Sequence, residues 1–191
     1  MSIKRTLLKE RVVARKDGEL RWRLTLRSQL KHGRPKLILV IRNPFDRLVS
    51  AYFYLKGQGK IMQDFDSFVF NLAKVGPRID RHLWAQERYH VPIKYMGIDH
   101  VIPFESLEAG WKSSAESLGL PDVLPHVNKS SRPLALSELY TKPTADVIRQ
   151  VYSIDFEGLG YDPWGDFDAA PAFGEFALPR ALANFGKNED R

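Results

Sequence analysis

Leu37-Ile38-Leu39-Val40-Ile41 constrains this chain more than any other segment: five apolar residues without a break, followed at once by Arg42-Asn43-Pro44. A strand apolar at every position has both faces covered, as in a parallel sheet packed between helices. Asn43 suits a helix N-cap and Pro44 the first helical position. The spacing therefore predicts a helix from Pro44 to about Lys56, stopped by Gly57. Phe45, Leu48, Val49, Tyr52 and Leu55 form its inward stripe, while Arg47, Ser50 and Tyr54 share a different face. A strand turning sharply into a helix is an anion site in outline, because the helix start offers unpaired backbone N–H groups and a partial positive charge. Arg42 at the strand tip can grip a phosphate with two donors, and the Ser50 hydroxyl two turns on can add another. The same residues also fit a salt-bridged arginine ahead of an ordinary capped helix, and spacing alone does not choose.

The rest of the chain alternates strands with helices. A second helix is predicted after Asp64 or Asp66, with Phe65, Phe68, Val69, Leu72 and Val75 as a packing stripe and Gly76-Pro77 ending it. A short helix is expected over 82–89, and a strand at His100-Val101-Ile102-Pro103-Phe104. A helix over 107–118 should turn Leu107, Trp111, Ala115 and Leu118 inward. Residues 120–133 read as a loop, residues 143–153 as a last helix, and the tail beyond Tyr161 as irregular. Ahead of the apolar strand, Asp17-Gly18 suits a two-residue hairpin turn. After it Leu20, Trp22, Leu24 and Leu26 alternate with Arg21, Arg23, Thr25 and Arg27, and Val12-Val13-Ala14-Arg15 would pair with that strand. The expectation is an α/β domain with a mainly parallel sheet over residues 37–161, a basic segment with a hairpin over 1–36, and a C-terminal tail over 162–191.

Composition narrows the function classes. A chain of 191 residues with 43% hydrophobic and 12% aromatic residues has enough apolar material for one globular core. No apolar run approaches the roughly 18–20 residues of a membrane span. No long apolar stretch follows the first residues, so a cytoplasmic location is expected. With no cysteine, disulfides and thiolate metal sites are excluded. The five histidines are dispersed and no metal is expected. Residues 1–36 hold 12 Lys/Arg against 3 Asp/Glu, a net +9, whereas residues 37–191 hold 17 against 20, a net −3. Such a basic segment suits either a polyanion or plain solvation. Trp22 alone interleaves with the cations, and it falls on the apolar face, so nucleic-acid binding ranks last among the functions considered.

The run Ile41-Arg42-Asn43-Pro44-Phe45-Asp46-Arg47-Leu48-Val49-Ser50-Ala51-Tyr52 resembles the 3′-phosphate-binding motif of sulfotransferases, closest to carbohydrate sulfotransferases and their bacterial relatives. Later segments resemble family elements in the same order. These are His82-Leu83-Trp84-Ala85-Gln86, Ile98 to Leu107 with Glu105 at its turn, Leu124 to Ser130, and Tyr152-Ser153-Ile154-Asp155-Phe156 closing with Gly160-Tyr161. The resemblance implies a P-loop-like three-layer domain that uses 3′-phosphoadenosine 5′-phosphosulfate (PAPS) and releases 3′-phosphoadenosine 5′-phosphate (PAP). It also implies a hydroxyl-bearing acceptor, with carbohydrate the class to expect. Arg42 and Ser50 would hold the 3′-phosphate, with Asn128, Lys129 and Ser130 near the nucleotide. His82 is the candidate general base, since imidazole titrates near neutral pH, and Glu105 is the alternative. For His82 and Lys129 the plainer readings are a histidine bonded at a helix start and a solvated loop lysine.

Family members also carry a loop of the form Pro-Lys-small-Gly-x-Ser/Thr before this strand, to cradle the 5′-phosphosulfate. Residues 1–36 contain only Gly18 and Gly33, and neither has the small neighbours that close phosphate approach requires. The sheet is therefore expected to be incomplete at its N-terminal side. Three readings follow in order: a PAPS-dependent sulfotransferase; a truncated or degenerate member that binds nucleotide or polyanion without catalysis; and a nucleic-acid-binding domain.

Overall fold

In the computed structural model, residues 13–14, 36–87, 98–124 and 134–171 are described. The hairpin turn at Asp17-Gly18, the strand expected over 20–27, and Asn128, Lys129 and Ser130 lie outside them. The fold is α/β with a parallel sheet. Strand β1 (Val13–Ala14) pairs with β2 (Leu37–Ile41), and β2 with β3 (His100–Pro103), both in parallel. In register, Ile38 lies opposite His100 and Ile41 opposite Pro103.

Helix α1 (Pro44–Gly57) begins as its residues dictate: the Asn43 side chain accepts the Phe45 N–H at 3.0 Å, and Pro44 opens the helix. All five residues of its inward stripe are buried. Helix α2 (Phe65–Val75) is capped by Asp64, whose carboxylate accepts the Ser67 N–H, and it stops at Gly76 with φ +78°. Val75, expected in the stripe, is 51% exposed, because the last turn runs past the core. Helix α3 (Leu107–Leu118) ends at a left-handed Gly119. The short α4 (Leu136–Leu139) precedes α5 (Lys142–Val151) and α6 (Ser153–Leu159).

The three layers follow from strand alternation. Leu39, Ile41 and Val101 face the main core, shared with Phe45, Leu48, Leu72, Ile148 and Phe156. Ile38 and Ile102 face the opposite way, against Trp111 and Ala115 of α3. Coverage of β2 is incomplete, since Val40, on the α3 side at the carboxyl end, is 42% exposed.

Sequence expectations differ from the fold in three places. Residues 81–83 form a 3-10 turn, where a helix was expected over 82–89. Helix α4 has only four residues, too few for periodicity to register. The helix expected over 143–153 is α5, and after a break at Tyr152 a further helix, α6, follows it. Tertiary anchors hold that break: the Tyr152 hydroxyl donates to Leu83 O at 2.7 Å, and the Asp155 carboxylate is pinned one turn on.

Candidate functional site

The turn between β2 and α1 is clasped from two sides. Gln86 bridges the Arg42 backbone: its Oε1 accepts the Arg42 N–H at 2.9 Å, and its Nε2 donates to Arg42 O at 2.6 Å. A reversed side-chain amide would set donor against donor, so the backbone fixes its orientation. On the other side, the Asn43 N–H donates to Glu105 Oε1 at 2.6 Å, and the Tyr161 hydroxyl donates to Glu105 Oε2 at 2.9 Å. Gln86 is itself held, because the buried Asp155 carboxylate accepts the N–H groups of Gln86 (2.9 Å) and Glu87 (2.8 Å). Burial raises the Asp155 carboxyl, against the pull of those bonds and of the Arg47 charge. Burial likewise raises Glu105, partly offset by its bonds to Asn43 and Tyr161. The Tyr161 phenol is pushed far up by burial and by the Glu105 charge, so it stays protonated and donates.

Arg42 leaves this turn with its side chain 17% exposed. Nε pairs with the Asp46 carboxylate, one helical turn along, and the guanidinium lies over the Phe104 ring at 4.1 Å. Asp46, Ser50 and Tyr54 are spaced four apart on α1 and so form one row. At its far end the His82 ring packs on Tyr54, with centroids 4.7 Å apart. The row thus runs Arg42, Asp46, Ser50, Tyr54, His82, with Asp46 and Tyr54 separated by about 12 Å of helix axis. Ser50 follows Asp46, the partner of Arg42, by one helical turn, and Tyr54, the partner of the His82 ring, follows by another, while Glu105 holds the strand-tip turn through the Asn43 N–H. Arg47 bonds loop carbonyls: Nη2 donates to His82 O at 3.3 Å and also to Trp84 O. It ties the 82–86 loop to α1.

His82 hangs on Asp80, with Nδ1 2.7 Å from Oδ1. Two cavities flank the region. One of about 420 Å³ is bounded by Arg149, Phe156, Tyr161 and Trp164. The other, of about 350 Å³, is bounded by Lys60, Gln63, Phe68, Asn71, Asp80 and Leu83. Neither is lined by Arg42, Ser50 or His82, although Asp80 joins the second to the His82 ring.

A family model described as "Sulfotransferase family" matches residues 25–162, well over half of the sequence and including the whole strand-tip clasp. The chain belongs to the sulfotransferase family. Sulfuryl transfer, the chemistry general to that family, is the activity this membership supports. No curated protein and no solved structure matches the chain. No helix among the described residues is long and apolar enough to cross a membrane. No cluster of three or more His, Asp or Glu that could hold a metal occurs among them either.

Three residues at this candidate site were not singled out from the sequence: Asp46 as partner of Arg42, Phe104 as its platform, and Asp80 behind His82. Two left a local trace, an acid four residues after Arg42 on a helix and an acid two residues before His82. Phe104 left none, because its approach depends on the β2–β3 register.

Proposed function

We propose that this sulfotransferase-family chain binds PAPS and moves its sulfuryl group to a hydroxyl acceptor of the carbohydrate class. The observation that carries the reading is the open carboxyl end of the sheet. There Val40 and Phe104 are each 42% exposed, and the Arg42 guanidinium lies on the Phe104 ring. Ligands of open α/β sheets sit outside the carboxyl ends of the strands. An apolar ledge beside a fork of donors suits a flat base and its phosphate.

The donor set fits a 3′-phosphate. Asp46 engages Nε, and among the described residues no hydrogen bond occupies the Nη edge of Arg42 or the Ser50 hydroxyl. Asp46 costs some repulsion near an anion, and in return it fixes the guanidinium through Nε. Asn128, Lys129 and Ser130 are assigned further nucleotide contacts on family resemblance. Bound, the nucleotide supplies a sulfuryl group on a phosphosulfate linkage. The chain's part is to hold the phosphate and to take the acceptor's proton at His82 Nε2. Both Glu105 oxygens are committed to the clasp, so the base role goes to His82. We assign the acceptor to the 350 Å³ cavity beside Asp80, where Lys60, Gln63 and Asn71 stand over Leu55, Phe68 and Leu83.

A second reading is nucleotide binding at the same strand tip without transfer. Transfer of labelled sulfur from PAPS to desulfated polysaccharides separates the two. The first reading expects transfer, with Arg42→Ala raising KM for PAPS about 10–100-fold and His82→Ala lowering kcat about 10²–10⁴-fold. Binding of PAP without transfer supports the second, and absence of both overturns each.

A further inference from the structure

We propose that Asp80 is a positioning residue, whose carboxylate holds the His82 imidazole as the Nδ1–H tautomer and presents Nε2 as the proton acceptor. The inference rests on the reading of His82 as the base. The Asp80 Oδ1 atom accepts twice from His82, from the backbone N–H at 2.9 Å and from ring Nδ1 at 2.7 Å. Its Oδ2 faces Lys60 Nζ at 3.5 Å. Tyr54 packs against the ring, and Arg47 bonds the His82 carbonyl and so holds the backbone that carries it.

An ionised carboxylate only accepts hydrogen bonds, so the ring nitrogen facing it carries the proton. Asp80 remains ionised: burial alone would raise its carboxyl, but the bonds from His82 and the charges of His82 and Lys60 outweigh that and hold it below the ordinary value. The one lone pair of the neutral ring then lies on Nε2. Among the described residues that atom has no hydrogen-bond partner, and the side chain is 27% exposed. When Nε2 takes a proton from an acceptor hydroxyl, the positive charge that forms faces the same carboxylate, which stabilises it.

A merely structural role exists as well, since Asp80 caps the 3-10 turn at Arg81–Leu83. Asn can make that cap too, so Asp80→Asn separates the roles. In wild type, ring ¹⁵N spectra of His82 should show Nδ1 protonated and Nε2 bare in the neutral form. In Asp80→Asn both tautomers should be populated, and kcat should fall at least about 100-fold while PAP affinity stays within twofold. A wild-type ring protonated at Nε2, or an Asp80→Asn protein with unchanged ring spectrum and kcat, overturns the proposal. If wild type shows no transfer at all, the base reading of His82 fails. The ring spectra then still decide whether Asp80 sets the tautomer.

Discussion

At the scale of single residues, the strand tip is organised by side chains that bond backbone. Gln86 and Glu105 together hold the N–H groups of Arg42 and Asn43 and one carbonyl, which leaves the Arg42 head to Asp46 and the Phe104 ring. Placing a carboxylate there has a consequence for stability. Burial, reinforced by the Asp46 charge, raises Glu105 above the ordinary carboxylate value despite its bonds to Asn43 and Tyr161. A carboxyl raised on folding binds its proton more tightly in the native state. Its stabilising contribution is whole below the ordinary carboxylate pKa and is lost as pH rises through the native value. Glu105→Gln keeps an acceptor for the Asn43 N–H and removes the titration. As pH rises above the ordinary carboxylate value, urea midpoints should therefore fall less in the variant than in wild type. Equal slopes would contradict the buried placement. Arg42, Ser50 and His82 were legible as candidates because a strand tip, a helix face and an imidazole can be read locally. The clasp was not, because Gln86 and Glu105 reach the turn across 44 and 62 residues of sequence.

Secondary-structure elements were legible wherever periodicity ran for ten residues or more. Helices α1, α2 and α3 lie where their apolar stripes and caps put them, and β2 and β3 where the apolar runs are. The short α4 and the break at Tyr152 were not legible, since one depends on a single turn and the other on buried anchors contributed by the 83–87 loop. Gly110 lets α3 approach β3 closely. A Cβ added at Gly110 would sit 2.7 Å from Ile102 Cγ2, a β-branched side chain with little room to move. Alanine gains about 1 kcal/mol of helix propensity over glycine, whereas overpacking costs about 1–3 kcal/mol. Gly110→Ala should therefore lower Tm in a thermal melt. A rise in Tm would show that α3 is free to move off β3.

Across the whole molecule, the sheet sits between a large aromatic core and the smaller cluster under α3, and the candidate site lies where the smaller side stops short. The layer order and parallel pairing were legible from an apolar strand followed by a capped helix. The open ledge was not, because exposure at Val40 depends on how far α3 reaches. In the proposed function Arg42 grips a phosphate that only the 3′ position supplies. Calorimetry of PAP against adenosine 5′-monophosphate, in wild type and in Arg42→Ala, isolates that contact. Loss of a charge-assisted pair is worth about 1.5–3 kcal/mol, or roughly 10–100-fold in Kd. Wild type should prefer PAP by at least that factor and Arg42→Ala should erase the preference, with far-UV spectra confirming that the variant is folded. Equal affinity of wild type for the two nucleotides, or a preference that survives Arg42→Ala, would contradict the account.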